Sequence, residues 1–302
     1  VRVVRPITMT DSILVSTIPE PDASVSEVLW TAGTYNAGDE RIKTTTHRNY
    51  RATSTTNEDP EVGVLSDPPT WIDFAPTNKY AMFDSVNGTV STDSTALDVD
   101  ITPGEVANSV SGFNITGAST VTVIMDDPAD GEVYNTVIDM VDNSDIFDYW
   151  EYFFEPIINK TEFSLLGLPA YNQATLSINF AGDADISVGT LVIGKEINLG
   201  IARYGGSLKL LDFSKKTQDE FGNFIITQGR TSKLVEFDVA IPAKKTKFVF
   251  NTLSALTTTP SVWIGSDDID DASLVFGYYR DSQINISNPT FNDCTITVEG
   301  LI

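Results

Sequence analysis

Four aromatic residues, Trp30, Tyr35, Tyr50 and Trp71, fall within one short stretch of the chain. Flat Trp and Tyr rings stack on the apolar faces of sugar rings while nearby polar groups bond the hydroxyls, so this set has the makings of a carbohydrate site. Tyr35, Trp71 and Tyr50 are its candidate binding residues. The competing reading is structural, because a unit of this size has little besides its aromatics from which to build a core. The expectation that weighs both places Trp30 inside and Tyr35 and Trp71 nearer the surface.

Other chemistry is harder to assemble. Hydrolytic nucleophilic catalysis usually sets a base beside the nucleophile, and His47 is the single histidine. No serine sits in a Gly-x-Ser-x-Gly elbow, and Cys294 lies in the alternating run Cys294-Thr295-Ile296-Thr297-Val298. These two residues read as a strand histidine and a half-buried thiol. With 42 Asp and Glu residues, a pair of carboxylates at glycosidase separation carries no signal, and no long internal repeat of the β-helix kind is present. The clusters Asp126-Asp127-Asp130, Asp183-Asp185 and Asp267-Asp268-Asp270-Asp271 offer the oxygens calcium prefers, but solvated turns explain them better. No glycine-rich phosphate loop occurs. The sequence therefore nominates no catalytic residue, metal or cofactor, and the expected protein is not an enzyme.

The whole-chain charge narrows the partners. A formal net charge of -23 repels nucleic-acid phosphates and anionic membrane surfaces, so neither is an expected partner. The charge is also uneven, with no Lys or Arg between Lys79 and Lys160 and a cationic stretch from Lys209 to Lys247. Such polarity would favour head-to-tail association of copies or docking on an oppositely charged neighbour, although solvated faces alone produce the same pattern more often. One cysteine rules out an internal disulfide. No apolar run reaches the roughly 18 to 20 residues of a membrane span, and no export signal is expected at the N-terminus.

The elements that position these residues are mostly β. Residues 1–23 read as an arm containing a strand around Ile13 to Ile18, halted at Pro19-Glu20-Pro21. An unpaired strand edge is commonly completed by another chain, so the arm is expected to be ordered by a neighbouring subunit. Residues 24–84 read as a small unit of three strands with a turn at Asn36-Ala37-Gly38-Asp39. Residues 85–200 carry short, evenly spaced strands of a β-sandwich of jelly-roll type, interrupted by the aromatic run Tyr149-Trp150-Glu151-Tyr152-Phe153-Phe154, which is expected to cover an end of the sandwich. Residues 201–302 form an α+β unit with a hairpin turn at 219–223 and a helix over 245–256 carrying Phe248, Leu253 and Leu256.

The order Trp30, Tyr35-Asn36-Ala37-Gly38-Asp39, Tyr50-Arg51-Ala52 and Trp71 resembles the small chitin-binding modules attached to bacterial chitinases. Bacteriophage tail proteins carry a similar module, followed by a sequence like Pro76-Thr77-Asn78-Lys79-Tyr80-Ala81-Met82-Phe83-Asp84. The aromatic run at 148–156 and the C-terminal unit also look like parts of such tail proteins, so the resemblance covers nearly all the chain after residue 24. It implies a structural protein of the virion tail or tail tip, assembled in the host cytoplasm. Its implied partners are other phage tail proteins, copies of itself and a host-surface glycan. The alternative it implies is a dedicated receptor- or carbohydrate-binding protein of the tail.

Overall fold

The computed structural model describes the chain from residue 1 to 301, apart from residues 87, 143–145, 155, 157, 219–221, 223, 266–271 and 287. It is mostly β, with a 14-stranded sheet, a three-stranded sheet and two two-stranded ribbons. The expected turn at 219–223 and the acidic loop at Asp267 to Asp271 fall largely or wholly outside the described residues.

Two strands open the chain, β1 (Arg2–Pro6) and β2 (Leu14–Ser16). The small unit follows as the antiparallel meander β3 (Glu40–Lys43), β4 (Arg48–Ala52) and β5 (Trp71–Pro76), the three strands its sequence predicts. Gly38, at φ 95°, makes the expected turn, with Asp39 N donating to Asn36 O at 3.1 Å. Between β4 and β5 lies the single turn α1 (Pro60–Gly63), started by Asp59, whose carboxylate accepts from Glu61 N at 2.9 Å, and by Pro60 at its first position.

The middle of the chain supplies β6 (Ser91–Ile101), β7 (Ser109–Thr116), β8 (Thr120–Asp127), β9 (Gly131–Asp139), β10 (Val141–Asp142), the short helix α2 (Tyr149–Phe154), β11 (Ile158–Asn159), β12 (Glu162–Leu166) and β13 (Thr175–Asn198). The 24-residue β13 is the spine. One of its edges pairs with β6 and then β1, the other with β8 and then β7. The sequence suggests two strands here, around 174–180 and 188–193; they are one strand with a bulge between Ala181 and Asp185. At that bend the backbones touch, since a Cβ on Gly182 would lie 1.9 Å from Gly117 O.

The C-terminal part contains β14 (Ile201–Ala202), β15 (Ser207–Asp212), β16 (Lys215–Gln218), β17 (Phe224–Thr227), β18 (Thr231–Pro242), α3 (Thr246–Ala255), β19 (Ser261–Ile264), β20 (Val275–Asn285) and β21 (Phe291–Gly300). α3 is the expected helix, but its buried stripe is Val249, Leu253 and Leu256 at i, i+4 and i+7. Phe248, expected on that stripe, is one position out of phase and lies exposed.

β1 joins the two halves. It pairs with β13 on one edge and β19 on the other, giving the strand order β12-β7-β13-β1-β19-β20-β21-β18-β14. Val3 enters the core around Phe237, Val249 and Trp263, while Val4, on the opposite face, packs with Phe113, Val262 and Phe276. β2 lies along β6. The expectation that the arm waits for a neighbouring subunit is thus overturned, because its strands already have partners within the chain. The partner of β1 on β13 lies more than 180 residues downstream, out of reach of any sequence-adjacent pairing.

Candidate interaction surfaces and the aromatic module

Tyr35, Tyr50 and Trp71 come together as the sequence suggests, but inside the module. Trp71 is fully buried, its Nε1 donating to Glu58 O at 3.1 Å and its ring meeting Tyr35 edge-on at 5.4 Å. Tyr35 OH donates to Thr31 O at 2.6 Å, and the Arg41 guanidinium stands 4.8 Å from the ring centroid. Tyr50 OH shares a 2.9 Å hydrogen bond with Thr46 Oγ1. The expected placement is reversed: Tyr35 and Trp71 are core, and Trp30 is half-buried at the edge with Lys43 Nζ 5.3 Å from its ring centroid. The physical reason is supply. Besides these three rings and Ala52 the module buries Ile42, with Val64 partly buried against the cluster, so the rings supply most of its core volume. On the module's surface, Phe74 of β5 is exposed beside Ile72 and carries the Arg51 guanidinium 4.7 Å from its centroid. Their i, i+2 spacing on β5 is the sequence signal for a shared face.

His47 sits in a tight turn at φ 54°, not in a strand. Its Nδ1 lies 3.0 Å from Glu20 Oε2 and its Nε2 3.5 Å from Asp11 Oδ2, with the ring stacked on Tyr80 at 3.8 Å. Thr77 Oγ1 donates to Glu20 at 2.8 Å and Tyr80 OH to Asp11 at 2.6 Å. Burial and the adjacent Asp11 carboxylate push the Tyr80 phenol well above its ordinary value. Asp11, Glu20 and His47 offer three ligand atoms within 4.8 Å of one another. The carboxylates, however, occupy opposite ring nitrogens, and Lys79 Nζ already stands 3.9 Å from Asp11, so the set fits an ion-paired clamp better than a metal site. Asn78 completes the junction: its Nδ2 donates to Asp22 at 2.6 Å, and its backbone N to Glu27 at 2.7 Å. The stretch from Pro76 to Asp84 therefore docks the module on the arm.

Among the described residues, dense runs of exposed apolar side chains lie on two ribbons. β10 and β11 pair as the stem of the first, and α2 near its tip is fixed by Asp148, whose Oδ1 accepts from Trp150 N at 2.8 Å and Glu151 N at 3.0 Å, while Glu151 Oε2 accepts from Asp148 N at 3.1 Å and from Phe147 N. Phe147, Tyr149, Trp150, Tyr152, Phe153 and Phe154 are 65% to 85% exposed. The expectation that this run covers the end of the middle unit is overturned, because its rings touch one another, Trp150 with Phe154 at 4.2 Å and Tyr152 with Phe153 at 5.3 Å, and face solvent. The second ribbon continues β15 and β18 through β16 and β17, with Phe224 and Ile226 exposed on one face. Phe213, Leu208 and Leu210 are exposed toward its base.

Among the acidic clusters, Asp127 behaves as a turn residue, its Oδ2 accepting from Ala129 N at 3.0 Å. Cys294 is buried in β21, more completely than the half-buried thiol expected, and burial pushes its thiol up to about 11. Among the described residues no helix is long and apolar enough to cross a membrane. No protein-family model matches the chain, and searches of curated proteins and of solved structures find no match.

Proposed function

We propose that the protein is a non-enzymatic structural protein of a bacteriophage tail or tail tip, which joins other tail proteins and copies of itself and contacts the host surface. The observation that carries this reading is the pair of ribbons whose aromatic and aliphatic side chains are exposed among the described residues. Exposed contiguous apolar surface of this kind marks protein–protein contact in soluble proteins. The resemblance of residues 24–84 and of the aromatic run to phage tail proteins supports the tail setting. Within this reading the middle unit is a sandwich of jelly-roll type, the C-terminal unit is α+β, and the small module is a spacer clamped to the arm. The rival, a dedicated receptor- or carbohydrate-binding protein, draws less support, because a stacking platform needs ring faces at the surface and Tyr35, Tyr50 and Trp71 are turned inward.

Quantitative mass spectrometry of purified particles tests the proposal. It expects a fixed copy number in the tail fraction and no binding of the isolated chain to a panel of host-surface and chitin-type glycans. Absence from particles, or glycan binding by the isolated chain, would overturn it.

A further inference from the structure

Among the described residues, every hydrogen bond and ion pair between side chains of residues 33–75 and the arm runs through the single histidine, His47. It ends the turn between β3 and β4, and its ring reaches two carboxylates at once, Glu20 through Nδ1 at 3.0 Å and Asp11 from Nε2 at 3.5 Å. The two carboxylates differ in their surroundings. The Glu20 side chain is only 7% exposed, and its other partner is the neutral Thr77 hydroxyl, so the ring is the one group able to give it a counter-charge. Asp11 is mostly in water and keeps Lys79 Nζ at 3.9 Å and the Tyr80 hydroxyl at 2.6 Å. Of the other charged groups around the ring, Arg48 is bound to Asp73, while Arg5 of β1 and Asp84 line the cleft that His47 borders. That cleft has a volume of about 380 Å³ and reaches Ile7, Leu191 and Phe276 on the body of the protein, so the turn has open space beside it.

We infer that His47 is a proton-operated latch: protonated, it fastens the turn between β3 and β4 to the arm, and on losing its proton it lets the turn move away from the arm. The inference stands on the junction alone and goes beyond the tail reading. Histidine is the side chain whose ordinary change of charge falls between about pH 5 and 8. The imidazolium carries an N–H on each nitrogen and serves both carboxylates, whereas the neutral ring has one N–H and turns a lone pair toward the other carboxylate. With the hydrogen kept on Nδ1, Glu20 retains a hydrogen bond but loses its counter-charge while shielded from water, a costly state for a carboxylate. Opening returns that carboxylate to water. Loss of the proton and release of the turn are therefore coupled, closure prevailing at the acid end of the range and failing as the pH rises. Two neighbouring groups stay out of this range, since burial and Asp11 hold the Tyr80 phenol high and hydrogen bonds from Ser24 and Asn78 hold Asp22 low against its burial. The bonds from Asn78 to Asp22 and Glu27 do not involve His47, so the stretch after Pro76 stays seated while the turn is released.

Nuclear magnetic resonance of the full-length chain tests the latch, because a single histidine gives one set of ring signals to follow against pH. The companion reading is exchange of the Thr77 amide, which donates to His47 O at 2.9 Å and is freed when the turn leaves. Corrected for the intrinsic pH dependence of exchange, its protection is expected to fall at least about tenfold between about pH 5.5 and 8, with the midpoint of the ring titration. Glu20→Gln removes the shielded charge, so the step should vanish while the ring still titrates. His47→Asn tolerates the backbone at φ 54° but carries no charge, and should show low protection with no step. Where His47→Asn fails to fold, Glu20→Gln carries the test alone. Flat protection through the ring titration of the unsubstituted chain, or a step that persists in either variant, would overturn the inference. None of these outcomes bears on the tail reading, which fails by absence of the protein from particles.

Discussion

Replacing Trp71 by alanine removes the largest side chain of the module's core, and the structure allows the consequence to be sized. The ring is fully buried, so its loss costs about 3 to 5 kcal/mol in transfer and cavity terms. Its Nε1 bond to Glu58 O disappears as well, which adds about 1 kcal/mol where water does not replace it. A unit the size of residues 24–84 has a stability of roughly 3 to 9 kcal/mol at ordinary values per residue, so the substitution takes away most of it. At about 4 to 8 °C per kcal/mol, the module's unfolding should fall by at least about 12 °C. Gly63→Ala is the companion test: its Cβ would lie 2.4 Å from Trp71 Cδ1 and 2.5 Å from Thr70 Oγ1, costing about 1 to 3 kcal/mol with the ring retained. Trypsin susceptibility on a temperature ramp reads both, because Arg41, Lys43, Arg48 and Arg51 lie on strands cut only when the module opens. Unchanged resistance in Trp71→Ala would refute the assignment of this ring to the core, and unchanged resistance in Gly63→Ala would refute the tight packing against it.

Other outcomes follow from the same geometry. Cys294 should react with a thiol reagent only after unfolding at neutral pH, since it is buried and its thiol is held near 11; fast labelling of the native chain would contradict this. Asp22 is held below its ordinary value: burial opposes this, but hydrogen bonds from Ser24 and Asn78 outweigh it. Its contribution is therefore present above the unfolded value of about 3.9 and lost as pH falls through the lowered folded value, so acid should loosen the arm–module junction. Hydrogen exchange of the Ser24 amide, which donates to Asp22 Oδ1 at 2.8 Å, measures it across that range, and flat protection would count against it. Removing residues 1–6 deletes a strand paired on both edges and should yield an insoluble or unfolded chain, whereas the intact arm should resist proteases in the free protein.

The legible part of the fold was what repeats locally. Alternation gave β7, β8, β18 and β21, Asn36-Ala37-Gly38-Asp39 gave its turn, and a 3.6-residue period gave α3. What the sequence withheld were long-range pairings and phase. The continuity of β13 through its bulge depends on Gly117 and Gly182 passing in contact, and the seat of β1 between β13 and β19 joins segments far apart in the chain. Neither leaves a local mark. At the module, the aromatic set is visible in the sequence but its burial is not, because Trp and Tyr serve equally as core and as platform. His47 could be recognised as a lone histidine, but its carboxylates come from the arm, 27 and 36 residues earlier. The aromatic run is visible in the sequence and its exposure is not, because apolar runs are ordinarily covered by their own chain.

Imaging of intact phage particles at a resolution that traces chains tests the central claim most directly. The account predicts copies of this protein at regular positions in the tail, with the rings of Trp150 and Phe153 covered by a neighbouring chain. Particles that lack the protein, or that hold it with both ribbons bare to solvent, would contradict it.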